Sequence, residues 1–227
     1  MTTEQGGELP SEYTRLNYLE SSRGQFIDTG IAPVSYGGVG IKIKEFTPVG
    51  FNSNSYGRDI FYGCSNNPTG GSTAQASSLH LRSVNGDITF ACNGTELYYY
   101  KVVPVGVKCK LEYGISSQTH NAYLKIDDNI VVSDNNNLSG YIGSTYNLTL
   151  CKVNQPFLYG SELPFWASMR FGEVIITSAP IISETLTGAD VLRHFIPALD
   201  NSNRPCLYDL TTEQPYYNGG TGEFLYG

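Results

Sequence analysis

The residues able to do chemistry in this chain are thinly spread, and their spacing limits the reactions open to them. Hydrolysis of a glycosidic bond needs two facing carboxylates, roughly 5–5.5 Å apart when configuration is retained. On a strand, that means acids at i and i+2 or i+4 on one face. No stretch shows this pattern. Asp127 and Asp128 are adjacent in a turn, Glu173 is alone on its strand, and Glu12 and Glu20 fall where no clear strand is written. A serine nucleophile would need a Gly-x-Ser-x-Gly elbow, which is absent, and His80, His120 and His194 lack a supporting local motif. The run Gly37-Gly38-Val39-Gly40 leads into a strand, so no helix N-terminus faces an anion there. The expectation is a chain without catalytic residues.

Metal chemistry has one opening. Asp127, Asp128 and Asp134, followed by Asn135 to Asn137, form the densest group of oxygen donors, the kind calcium uses. An exposed turn beside an Asn-rich loop explains the same residues, and no EF-hand spacing occurs. No cofactor is expected, with calcium the one ion left open. Zinc finds no ligands at short spacing. Cys64, Cys92, Cys109, Cys151 and Cys206 are odd in number, widely spaced and without a C-x-x-C pair, which reads as buried, reduced thiols.

The better signal is for binding. Tyr98, Tyr99 and Tyr100 sit on one strand and must alternate faces, so at least one ring lies outside the core. An exposed tyrosine can stack on a sugar or join a protein interface. Phe51, Asn52, Asn54 and Tyr56 make an aromatic and polar loop of the kind that touches ligands. The binding candidates are therefore Phe51, Asn52, Asn54, Tyr56 and Tyr99, while Trp166 reads as a core anchor.

The elements that must hold these residues are strands. Val107, Cys109, Leu111, Tyr113 and Ile115 alternate with Lys108, Lys110, Glu112, Gly114 and Ser116. Asn85-Gly86 and Asn93-Gly94 mark tight hairpins, because type I′ turns need φ > 0 at both central residues. Asp127 to Asn129 turns between Ala122–Ile126 and Ile130–Val132. Further strands are expected at 26–31, 39–46, 60–64, 98–103, from 146 and over 169–176, about ten in all. The one helical candidate, 189–195, is as easily a turn into a strand, with Pro197 ending it.

Composition agrees. Charged residues make up 15% of the 227, against the usual ~25%, while Gly (25) and Tyr (17) are abundant. The net charge of −7 and the scattered lysines and arginines exclude a phosphate-binding surface, so no nucleic acid is expected. No run approaches the ~18 apolar residues of a membrane span. Without a secretory signal in these residues, the Asn-x-Ser/Thr matches at Asn93, Asn137 and Asn147 read as chance. Residues 1–8 read as a mobile tail or attachment arm and 9–227 as one domain. Polar loops at 50–58, 66–77 and 133–140 are where binding is expected.

Both ends carry signatures. Leu9-Pro10-Ser11-Glu12-Tyr13, Tyr18-Leu19-Glu20-Ser21 and Gln25-Phe26-Ile27-Asp28-Thr29-Gly30 open the chain; Val191 to Pro197, Cys206-Leu207-Tyr208-Asp209 and Tyr217-Asn218-Gly219-Gly220-Thr221-Gly222-Glu223-Phe224 close it. Together they resemble the ends of laminin-G-like jelly-roll proteins encoded by phages and prophages of gut bacteria. The resemblance implies an all-β, two-sheet antiparallel jelly-roll sandwich of the concanavalin A-like type whose ends meet. It also implies a virion setting (tail, fibre or head decoration), with synthesis in the host cytoplasm and other virion proteins as partners. It brings no catalytic residue and no ligand set. The expected function is a non-enzymatic virion protein that binds the host surface, its glycans or a protein on it. A purely structural decoration module is the alternative, and a polysaccharide-degrading enzyme the third reading. Any homo-trimer would have to form through sandwich faces or a neighbouring protein, since no heptads are present.

Overall fold

The computed structural model describes residues 7–32, 38–50, 58–65, 78–84, 87–92, 95–99, 103–116, 121–134, 146–154, 167–178 and 191–227. Every regular element among them is a strand: β1 Thr14–Arg15, β2 Leu19–Ser22, β3 Ile27–Asp28, β4 Gly38–Gly50, β5 Arg58–Ser65, β6 Ser78–Val84, β7 Asp87–Cys92, β8 Thr95–Tyr99, β9 Cys109–Ser116 and β10 Asn121–Ile126. The series continues with β11 Asn129–Asp134, β12 Thr149–Leu150, β13 Val153–Asn154, β14 Ser168–Phe171, β15 Val174–Thr177, β16 Val191–Leu199, β17 Pro205–Asp209, β18 Gln214–Tyr217 and β19 Leu225–Tyr226. They form two sheets. The larger runs β11-β10-β9-β4-β15-β16-β17-β18, with β1 on β16 and β14, β2 and β19 continuing from the far half of β4. The smaller runs β3-β12-β5-β6-β7-β8, with β13 also on β5. Pairing is antiparallel except between β13 and β5.

Alternation decides which side chains meet between the sheets. Ile41, Ile43, Leu111, Tyr113, Leu124, Val174, Ile176, Phe195 and Leu207 of the larger sheet are buried with Ile27, Phe61, Leu148 and Leu150. Phe46 meets Phe61 edge-on with centroids 4.8 Å apart, a favoured geometry for aromatic pairs. The expected hairpins hold: Val84 pairs with Asp87 and Cys92 with Thr95, each across two residues. Three cysteines, Cys109, Cys151 and Cys206, are buried and free.

Two expectations need correction. Pro197 does not end a segment, since β16 runs through it to Leu199. Its neighbour β15 stops opposite Phe195 and β1 starts opposite Ala198, so Pro197 lies where no flanking strand needs its missing N–H. The 169–176 stretch is two strands, broken at Gly172-Glu173.

The chain ends close on each other. β19 pairs with β2, and Asn17 N donates to Gly227 O at 2.7 Å. Asn218 Oδ1 accepts the Phe26 and Gly220 N–H groups, while Gln25 Nε2 donates to Thr221 O. The glycines are dictated by contact: a Cβ on Gly220 would lie 1.8 Å from Gly24 O. Gly50 offers a control, with nothing within 4 Å of its would-be Cβ. Gly220→Ala is expected to destabilise the fold by about 1–3 kcal/mol or more, as overpacking does, whereas Gly50→Ala should be near neutral. Urea unfolding of both variants checks this, and equal midpoints would refute the close-packed seam.

Candidate functional site

A line of irregularities crosses the larger sheet. In β4 the register with β9 slips between Ile43 and Phe46, and Glu45 takes a left-handed φ of 62°. Opposite this bulge, Gly172-Glu173 separates β14 from β15, with Lys44 N bonded to Glu173 O and Gly172 N to Lys44 O. Gly172 is required there, because a Cβ would lie 2.8 Å from Lys44 O. Residues 16–18 separate β1 from β2 in the same region, and Leu16 N donates to Pro197 O. Bulges re-aim side chains away from the regular alternation. The result is a groove of about 460 Å³ lined by Arg15, Leu16, Asn17, Lys44, Glu45, Lys108, Cys109, Lys110, Asp127, Glu173 and Pro197.

Glu173 anchors its floor. Oε1 takes Lys44 Nζ at 2.6 Å and lies 2.8 Å from His194 Nε2; Oε2 lies 3.4 Å from Arg15. Burial alone would raise this carboxyl, but the hydrogen bonds and charges of His194 and Lys44 outweigh it and hold the pKa at about 2. The other groove acids are also engaged: Glu45 pairs with Lys108 at 3.0 Å, and Asp127 Oδ1 accepts the Lys110 N–H at 2.9 Å. Glu173, held so low, is a poor proton donor at neutral pH.

The flanks of the groove differ. On one side Lys42, Glu112 and Lys125 lie in register across β4, β9 and β10, with Lys42 Nζ 2.7 Å from Glu112 Oε1. On the other, residues 9–15 lie over the outer face of β16–β18. There Leu9 and Tyr13 pack on Ala198, Cys206, Tyr208 and Tyr217, with Tyr13 and Tyr208 centroids 4.6 Å apart. This strap delivers Arg15 to the groove.

The residues singled out from sequence are only partly placed. Phe51, Asn52, Asn54, Tyr56, Tyr100, Trp166 and Asn135 to Asn137 lie outside the described residues, as do loop 66–77 and residues 1–6. Tyr99 ends β8 and pairs with Ile88; Asp134 ends β11; neither side chain is described. Asp127 and Asp128 form the β10–β11 turn, both at positive φ, and Asp128 Oδ2 takes Lys110 Nζ at 3.0 Å. Among the described residues no three His, Cys, Asp or Glu side chains cluster as metal ligands. The sequence reading missed Lys44, Glu173, His194 and Arg15 as a unit. Glu173 looked isolated because its partners come from three other elements.

No family model matches the sequence. No curated protein matches it either. Solved structures do. The chain superposes on a Bacteroides ovatus protein for which carbohydrate binding has been proposed, with TM-score 0.61 and 8% identity over 94% of this chain. It spans 60% of the length of that protein. It also superposes on the CBM40 module of Ruminococcus gnavus IT-sialidase bound to α2,3-sialyllactose, with TM-score 0.54 and 14% identity. That match covers 74% of this chain and 92% of the module. Domains LG4-5 of the mouse laminin α1 chain match with TM-score 0.50 and 8% identity, over 87% of this chain and 50% of theirs. The fold is a jelly-roll sandwich. At these identities the likeness establishes architecture alone.

Two measurements test the site. A carboxyl held below its ordinary value stabilises the fold above that value, and the contribution is lost as pH falls from about 4.5 towards 2. Glu173→Gln should cost about 1–3 kcal/mol at pH 7 and flatten stability over that acid window; denaturation midpoints from pH 7 to pH 2.5 read this, and parallel curves would refute it. Burial raises the Cys109 and Cys206 thiols to about 12 and Cys151 in the same direction. Mapped iodoacetamide labelling should leave all three unmodified in the native chain and modify them after unfolding.

Proposed function

We propose that this chain is a non-enzymatic glycan-binding module, displayed on a phage particle, with the groove of the larger sheet as its binding site. The observation that carries the reading is the groove itself. It has the size of a small-ligand site. Its floor is pre-ordered by the Lys44–Glu173 pair at 2.6 Å, so little ordering of the floor remains to be lost on binding. It also sits on the sandwich fold that the sialyllactose-binding module uses.

The low pKa of Glu173, the most deeply held acid of the groove, supports binding without turnover, because glycoside hydrolysis requires one carboxyl poised to give up a proton. The phage setting rests on the motifs at the two ends of the chain. The loop bearing Phe51, Asn52, Asn54 and Tyr56 is the second place where a sugar could make contact.

The purified chain should bind glycans on an array and release no reducing sugar from them. Hydrogen exchange with bound glycan should slow in residues 44–46 and 108–110. A blank array ends the glycan reading, and protection confined to residues 51–57 moves the site to that loop. Antibody-labelled particles in negative stain should carry the chain at a tail or fibre tip; an even distribution over the head favours the decoration role.

A further inference from the structure

Resting on the glycan-binding reading, we infer that the groove takes an anionic saccharide, one bearing carboxylate or sulfate groups. The chain as a whole is acidic, at −7, with 14 lysines and arginines. Four of those cations, Arg15, Lys44, Lys108 and Lys110, line this one groove. Of the acids in the lining, Glu173 is paired with Lys44 and Arg15 and bonded by His194, and Glu45 is paired with Lys108. Asp127 accepts the Lys110 backbone N–H, while Lys110 Nζ pairs with the neighbouring Asp128. Charge is therefore balanced locally, and what distinguishes the groove is its donors. Each lysine spends one of its three N–H donors on a carboxylate, and Arg15 spends one of the five in its fork. The remaining donors are open to a ligand that supplies acceptors.

Depth separates the two signs on the Glu173 side of the groove. The Glu173 side chain is 13% exposed, whereas that of its partner Arg15 is 64% exposed; Lys108 is equally exposed beside a half-exposed Glu45. An entering ligand meets cation ends before it meets the floor carboxylate. Surface ion pairs of this kind are weak, so Arg15 and Lys108 can turn to a ligand at little cost. The unspent edge of the Arg15 guanidinium matches a carboxylate or sulfate held by two parallel hydrogen bonds. The bulge at Lys44-Glu45 fixes where Glu45 holds Lys108. A groove of about 460 Å³ suits one or two sugar rings rather than an extended polyanion, consistent with a chain too acidic for nucleic acid.

The test is an array of neutral glycans matched with their sialylated, uronic-acid and sulfated counterparts, followed by calorimetric titration of the best acidic member. The acidic partner of a pair should bind at least tenfold tighter than the neutral one, and its affinity should fall as salt is raised from 50 to 300 mM. Arg15→Ala/Lys108→Ala should lose at least tenfold in affinity at an unchanged thermal midpoint. Arg204→Ala, a cation outside the groove lining, should bind like the parent. Equal binding of both members of every pair, or undiminished affinity in the double variant, overturns the inference. Neutral-only binding sinks it and spares the glycan reading, whereas silence from the whole array sinks both.

Discussion

The closure between the first and last twenty-odd residues is the constraint on which the rest depends. β2 is paired by β14 on one side and β19 on the other, while residues 24–26 are bonded to 218–221. Joining segments so far apart in sequence carries a large loop-closure cost. That cost is offset by burial at the seam: Leu19, Ile27 and Phe224 belong to the same core as Ile41 and Leu111, and Phe224 meets Phe171 edge-on. The polar atoms freed there are satisfied locally, through Asn218 and Gln25, so that burying the seam leaves few unpaired groups.

The same closure shapes the functional face. Because the chain pairs with β16 through β1 and must leave it to pair with β14 through β2, it breaks at residues 16–18, and β14 and β15 break opposite at Gly172-Glu173. A bulge in β4 absorbs the mismatch. These three faults turn Arg15, Lys44 and Glu173 toward one another. The N-terminal strap then covers the apolar part of the outer face, leaving the charged part to form the groove. A structural necessity and a binding surface thus share the same residues. Buried Asp209, which accepts Thr211, Thr212 and the His194 N–H, holds β17 and its turn beside this face.

How legible this was in the sequence varies by residue. Leu111 and Tyr113 announced their facing by alternation, and Asn85-Gly86 the two-residue hairpin between β6 and β7, because strand period and tight-turn geometry are local requirements. Glu173 was legible only as a solitary acid. Its partners Arg15, Lys44 and His194 lie 158, 129 and 21 residues away, and no local spacing rule connects them. Pro197 misled for a related reason: a proline breaks a strand only if a neighbour needs its N–H, and neighbours are set by topology.

Sequence by itself determined the all-β character, the two-residue hairpins and the inward facing of Leu111 and Tyr113, since each follows from local backbone geometry. The glycine seam came only with the fold, because Gly220 meets Gly24 across nearly the whole chain. The tertiary structure decided where function can reside. Only when β4, β9, β15 and the N-terminal strap are laid side by side do scattered cations become a groove and a lone carboxylate its anchor. The physical reason is that electrostatic partnership depends on distance in space, falling off over a few ångströms, and is blind to separation along the chain.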